Sequence, residues 1–236
     1  MNRKIGLIGG ISWVSTADYY RYINTMVNEE LGGLHFAECI IYSFNYADIK
    51  KNNDAGDWDK TFSMLSKAAE HLKAAGAEAI LLCANTMHLL AGKLQEAIKI
   101  PVIHIAEATS EEIRRQQLRK VALLGTQFTM EMDFFKEKLK ARNIETIIPA
   151  AADREFIHYT IFEELGRGII HETTKARYIS IVQQLKEAGA EGVILGCTEI
   201  PLLLQPSDLS IPSFDTTLIH AKAAADFITG RNTDHP

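Results

Sequence analysis

Residues 75–86 read AGAEAILLCANT, and residues 188–199 read AGAEGVILGCTE. Each spells a helix end, a glycine, a short apolar run and a polar turn. Working outward, Arg3-Lys4-Ile5-Gly6-Leu7-Ile8-Gly9-Gly10 is matched by Arg119-Lys120-Val121-Ala122-Leu123-Leu124-Gly125-Thr126, and Ile100-Pro101 by Ile211-Pro212. One such match is common text. Three in the same order, at nearly the same spacing, argue for two similar halves.

The rest of the chain fits that reading. Short apolar runs (Ile5–Ile8, Cys39–Phe44, Ala79–Leu82, Val102–Ile103, Val121–Leu124, Thr146–Ile148 and Val193–Leu195) alternate with stretches such as Asp57–Ala75 and Thr173–Ala188, whose apolar residues recur at three and four. Buried strands separated by helices predict an α/β protein of two pseudosymmetric domains, each a parallel sheet flanked by helices. The expected halves are residues 1–103 plus 215–236, and 104–214. The polar tail after Gly230 is expected to fray. Ligands of open parallel sheets bind beyond the carboxyl ends of the strands. The expected active-site cleft therefore lies between the halves, lined by Gly9–Ser12, Cys83–Thr86, Gly125-Thr126 and Gly196–Glu199.

Composition narrows the function. A net charge of −5 gives no basic surplus for a phosphate backbone, so no nucleic-acid partner is expected. No apolar run approaches the ~20 residues of a membrane span, and the run after Lys4 is too short for a signal-peptide core, so a cytoplasmic location is expected. The 3 cysteines do not form a disulfide framework. No HExxH, CxxC, GxGxxG or GxxxxGK[ST] spacing occurs, so neither a metal nor a nucleotide is expected.

Cys197 follows the apolar run Gly192–Leu195 and precedes a helical stretch opened by Pro201. A thiol near a helix N-terminus is expected to ionise more readily than a free one. Free cysteines are most often small buried hydrophobes; the position at a repeated strand end favours function for Cys197. Cys83 is more ambiguous. The ungapped repeat pairs Ala84 with Cys197 and Cys83 with Gly196. Because side chains alternate along a strand, that one-residue slip reverses where the sulfur points. Function and packing stay equally open for Cys83, while Cys39, inside a strand-like run, is read as packing.

At this point the segments Gly9-Gly10-Ile11-Ser12-Trp13-Val14-Ser15-Thr16, Leu82-Cys83-Ala84-Asn85-Thr86-Met87-His88 and Gly196-Cys197-Thr198-Glu199-Ile200 resemble the aspartate/glutamate racemase family, as do Ala122–Thr126 and Ile161–Leu165. The resemblance covers nearly the whole chain. It implies a cofactor-independent amino-acid racemase, commonly dimeric, acting on a small-molecule amino acid. One thiol removes the α-proton and another, opposite, returns one. By the same resemblance Ser12, Asn85, Thr86, Thr126 and Thr198 hold the substrate's ammonium and carboxylate. The family places a cysteine directly before Asn-Thr; here Ala84 stands there and Cys83 one residue earlier. Cys197 is then the main base, facing an asymmetric opposite wall. Arg21, Arg154 and Lys175 are candidates for a distal carboxylate, though no spacing selects among them. The alternatives are a single-thiol decarboxylase or isomerase on the same scaffold, a broad-specificity amino-acid racemase, and an amino-acid-binding protein whose catalysis has decayed.

Overall fold

The computed structural model describes residues 3–231. The expectation for the tail past Gly230 falls, from residue 232, outside the described residues. The chain divides into two compact units. One runs to His104 and takes up again at His220; the other is Ile105–Ile219.

In the first unit the elements are β1 (Ile5–Gly9), α1 (Trp13–Leu31), β2 (Cys39–Ser43), α2 (Tyr46–Asp54), α3 (Trp58–Ala74), β3 (Ala79–Leu82), α4 (Ala91–Ile98) and β4 (Val102–Ile103). The second holds α5 (Ile105–Arg115), β5 (Lys120–Gly125), α6 (Gln127–Glu131), α7 (Asp133–Lys140), β6 (Glu145–Ile147), α8 (Ala151–Glu163), α9 (Glu172–Glu187), β7 (Gly192–Gly196), α10 (Ile200–Leu203) and β8 (Ser213–Asp215). The last helix, α11 (Thr216–Thr229), begins in the second unit and belongs to the first from His220 onward.

Both sheets are parallel and four-stranded, in the orders β2-β1-β3-β4 and β6-β5-β7-β8. The seven expected strands are present within a residue or two at their ends. The strand β8 was not read from the sequence. Ser213-Phe214-Asp215 lacks an apolar run, and only the second Ile-Pro pair marks its place.

The repeated text has a physical meaning. Helix α3 buries Thr61, Leu65, Ala68, Ala69 and Leu72 along one face, and Asp57 caps its start by accepting from the Lys60 amide at 3.0 Å. It ends in a left-handed glycine: the Gly76 amide donates to the Lys73 carbonyl at 2.9 Å and the Ala77 amide to Leu72 at 3.0 Å. Helix α9 ends the same way, Gly189 on Lys186 at 2.8 Å and Ala190 on Leu185 at 2.9 Å. This double bond is the Schellman cap, which needs a residue at positive φ.

The glutamate of each AGAE then staples the cap to the neighbouring strand. The Lys4 amide donates to Glu78 Oε1 and the Lys120 amide to Glu191 Oε2, both at 3.0 Å. The prolines recur for a like reason. Each lacks an amide but offers a carbonyl, taken by Ile80 from Pro101 and by Val193 from Pro212, both at 2.8 Å.

Strand alternation sorts the core. In the first unit Ile8, Ile80, Leu82 and Val102 pack under α2, α3 and α4, against Ile49, Leu65 and Leu94. Ile5, Leu7 and Leu81 pack on the other face, with Tyr19, Ile23 and Val27 of α1 and Ala221, Ala224 and Ile228 of α11. In the second unit Ala122, Leu124, Val193 and Leu195 pack with Ile157, Ile161, Tyr178 and Ile181 of α8 and α9. Burial of each large aliphatic side chain contributes about 1.5–3 kcal/mol. Among the described residues no helix is long and apolar enough to cross a membrane.

Candidate active site

Each unit collects its expected site residues at the carboxyl ends of its two central strands. In the first, β1 runs into Gly9-Gly10-Ile11-Ser12. Gly10 has φ +79°, and a Cβ there would lie 2.2 Å from the Phe44 carbonyl oxygen, so only glycine fits. The Gly10 amide donates to Thr16 Oγ1 at 2.9 Å, and that hydroxyl donates to the Ser12 carbonyl at 3.0 Å. Ser12 caps α1 by accepting from the Ser15 amide at 3.4 Å. Its φ of 138° is a conformation that non-glycine residues rarely hold, and such strain gathers at functional turns. The Ser15 hydroxyl in turn donates to the Cys83 carbonyl at 2.8 Å, fastening the start of α1 to the end of β3.

Beyond β3, Asn85–Leu90 forms a 3-10 turn preceded by the extended Ala84. Asn85 is buried and Thr86 half-buried. Ala84 packs on the same side as Ile80 and Leu82. Cys83 points the other way, 1 % exposed, into the cluster of Leu7, Tyr19, Leu81 and Ala221. Burial pushes its thiol far above the ordinary range.

In the second unit β5 and β7 end side by side, Gly125 level with Gly196. Thr126 caps α6, accepting from the Thr129 amide at 3.3 Å. Cys197 packs beside the cluster that holds Val193 and Leu195, the face equivalent to that of Ala84. Unlike Cys83 it is only partly buried. Its Sγ donates to Glu199 Oε2 at 2.8 Å, and the Thr198 hydroxyl donates to the same oxygen at 2.7 Å.

This overturns one expectation from the sequence. The Cys197 thiol is held well above its ordinary value, by burial first and by the Glu199 charge second. The helix that was to lower it, α10, has four residues and a correspondingly weak terminal dipole. From the sequence Glu199 was expected only to line the site, with no part in the thiol's environment. The signal was in the text, a carboxylate two positions from a thiol in a turn, but spacing alone does not aim the two at each other.

The cations offered for a distal carboxylate all hold carboxylates of their own unit. Arg21 bonds Asp18 at 2.9 Å, Arg154 bonds Glu131 at 2.8 Å, and Lys175 bonds Asp208 at 2.8 Å. Among the described residues no cluster of histidine, cysteine or acidic side chains is arranged to hold a metal ion.

The family model described as Asp/Glu/Hydantoin racemase matches residues 8–224. A Yersinia pestis structure with the provisional assignment Asp/Glu racemase is 46 % identical, with a TM-score of 0.92 over 96 % of this chain and 99 % of its own. An aspartate racemase homologue from Pyrococcus horikoshii OT3 is 36 % identical, with a TM-score of 0.85 over the same shares, 96 % and 99 %. The broad specificity amino-acid racemase RacX of Bacillus subtilis (strain 168) is 23 % identical over 93 % of this chain and 95 % of its own length.

Proposed function

Since the chain belongs to the Asp/Glu/Hydantoin racemase family, we propose that it racemises an acidic amino acid, aspartate or glutamate, without a cofactor, with Cys197 as the base that takes the α-proton. The observation that carries this reading is the hydrogen bond from the Cys197 thiol to the Glu199 carboxylate at the end of β7.

The chemistry follows from that pair. At rest the raised thiol keeps its proton and shares it with Glu199 in a hydrogen bond. When substrate binds, the proton passes from Sγ to Glu199 Oε2. The thiolate so formed takes the α-proton from one face of the substrate. The electron pair left at the α-carbon delocalises into the substrate carboxylate, which hydroxyl and amide donors stabilise. Ser12, Asn85, Thr86 and Thr126 serve as those donors and as ammonium acceptors. Thr198 spends its hydroxyl proton on Glu199, so it acts by orienting that carboxylate. Return of a proton to the opposite face from a second donor completes the inversion, and the proton left on Glu199 passes through solvent to reload that donor.

The reading assigns that return to a donor other than a second cysteine, because Ala84 stands on the equivalent face of the first unit and Cys83 lies in the core. The two hands of the substrate should therefore exchange at different rates. A second reading, broad-specificity racemisation, draws on the likeness to RacX and on the pairing of Arg21, Arg154 and Lys175 with carboxylates of the protein itself.

The test is a panel of L- and D-amino acids incubated with the protein in deuterated water. Loss of the α-proton signal is followed by NMR and the opposite hand by chiral chromatography. Aspartate or glutamate is expected to exchange and invert. Equal exchange of neutral amino acids would favour the broader reading. Carbon dioxide released from a malonate, with no α-exchange, would point to the decarboxylase alternative. Tight binding without any exchange would end the racemase reading.

A further inference from the structure

His88 lies one turn beyond the substrate-holding residues proposed for the first unit. Its Nδ1 is 3.1 Å from the Ala84 carbonyl oxygen and 3.2 Å from that of Asn85. Both partners are acceptors, so the ring proton belongs on Nδ1. Nε2 then carries the lone pair. It is buried and makes no well-formed hydrogen bond among the described residues; the one further carbonyl near the ring, that of Ile103, is taken by His220 Nε2 at 2.8 Å.

A buried acceptor left bare costs about 1–3 kcal/mol. The ring holds this orientation despite that cost, which points to the bonds at Nδ1 as its purpose. Burial lowers the ring's pKa to about 4, so it is neutral at ordinary pH.

The surroundings fix the ring further. It is 2 % exposed, with the His104 ring centroid 4.9 Å away and that of His220 5.1 Å away. His220 is itself locked. Its Nε2 donates to the Ile103 carbonyl at 2.8 Å, and its Nδ1 accepts from the Tyr19 hydroxyl at 2.8 Å. His104 is the last residue before the chain leaves the first unit, and His220 the first after it returns. None of this was legible in the sequence, where the histidines stand far apart.

We propose that His88 is a positioning residue: as the Nδ1–H tautomer it clamps the carbonyls of Ala84 and Asn85, and so sets the 3-10 turn that presents Asn85 and Thr86 to the substrate. The role assigned to Asn85 and Thr86 rests on the racemase reading; the clamp and its tautomer do not.

The experiment separates these. Long-range ¹H–¹⁵N NMR of the wild-type protein reads the tautomer, and amide exchange over residues 85–90 reads the turn. Racemisation kinetics are then compared in His88→Asn, whose side-chain amide can donate near the position of Nδ1, and His88→Gln, whose donor lies further out. The wild type is expected to show a protonated Nδ1 and a bare Nε2. His88→Asn should keep the turn protected and kcat/KM within about threefold, while His88→Gln loses protection and about tenfold in kcat/KM, mostly through KM. Equal melting temperatures of the two variants would exclude a general folding defect. A protonated Nε2 in the wild type overturns the proposal, as does an equal loss in both variants. If the wild type exchanges no amino acid, the racemase reading falls, and the tautomer and amide-exchange measurements decide the clamp by themselves.

Discussion

The end of β3 and the end of β7 are built on one plan and differ by one position. Each follows a Schellman-capped helix, a glutamate staple and a strand whose second residue bonds the carbonyl of the Pro just before the neighbouring strand. In the second unit the sulfur falls on the face that carries Val193 and Leu195, beside Glu199. In the first it sits one residue earlier, on the opposite face and in the core. The polar partners differ too, a carboxylate behind the sulfur in one unit and an imidazole clamping the turn in the other. A repeat can thus keep its fold while its two ends part in chemistry.

The largest expected contrast concerns acid. The first unit buries His88 and His220 as neutral rings, whereas His158 and His171 of the second are not buried. A histidine whose folded pKa is depressed binds protons more readily when unfolded. Its contribution is fully present above pH 6.5 and is withdrawn as the pH falls toward 4, at a cost of about 3 kcal/mol for His88 alone. Amide exchange followed from pH 7 to pH 4 should show the first unit losing protection before the second. Simultaneous loss in both would erase the contrast.

Next comes Glu199→Gln. Removing the carboxylate should lower kcat/KM about 100-fold. It should also lower the pKa of the Cys197 thiol, because the negative charge that opposes the thiolate is gone. The pH dependence of alkylation at Cys197, read by mass spectrometry, checks the second effect apart from the first.

Cys83→Ser places a hydroxyl among apolar side chains and is expected to destabilise the protein by about 2 kcal/mol, read by chemical denaturation. The kcat of the folded protein should stay within a small factor of the wild type. The smallest effect is expected of Ala84→Cys, which moves a sulfur to the face that Cys197 occupies in the second unit. It should raise exchange of the slower substrate hand about tenfold; an unchanged ratio between the hands would mean that the faces of 84 and 197 are not equivalent in chemistry.

How much of this was readable beforehand follows from range. The Schellman glycines, the apolar strands and the alternation that separates Cys83 from Ala84 are local, and local rules read them from AGAEAILLCANT and AGAEGVILGCTE. The strand β8 escaped because only pairing with β7 makes Ser213-Phe214-Asp215 extended. The role of Glu199 escaped because its direction is set by the turn, and that direction reversed the expected shift at Cys197. The cluster of His88, His104 and His220 escaped because tertiary folding alone brings those rings together.

The central claim is that one strand end carries a working thiol and the other a buried one. Its most direct test is α-deuterium incorporation measured side by side in Cys197→Ser and Cys83→Ser, on the amino acid that the wild type exchanges fastest. The account predicts that Cys197→Ser loses at least about 1,000-fold while Cys83→Ser exchanges at close to the wild-type rate. Undiminished exchange in Cys197→Ser, or its abolition in a folded Cys83→Ser, would contradict it.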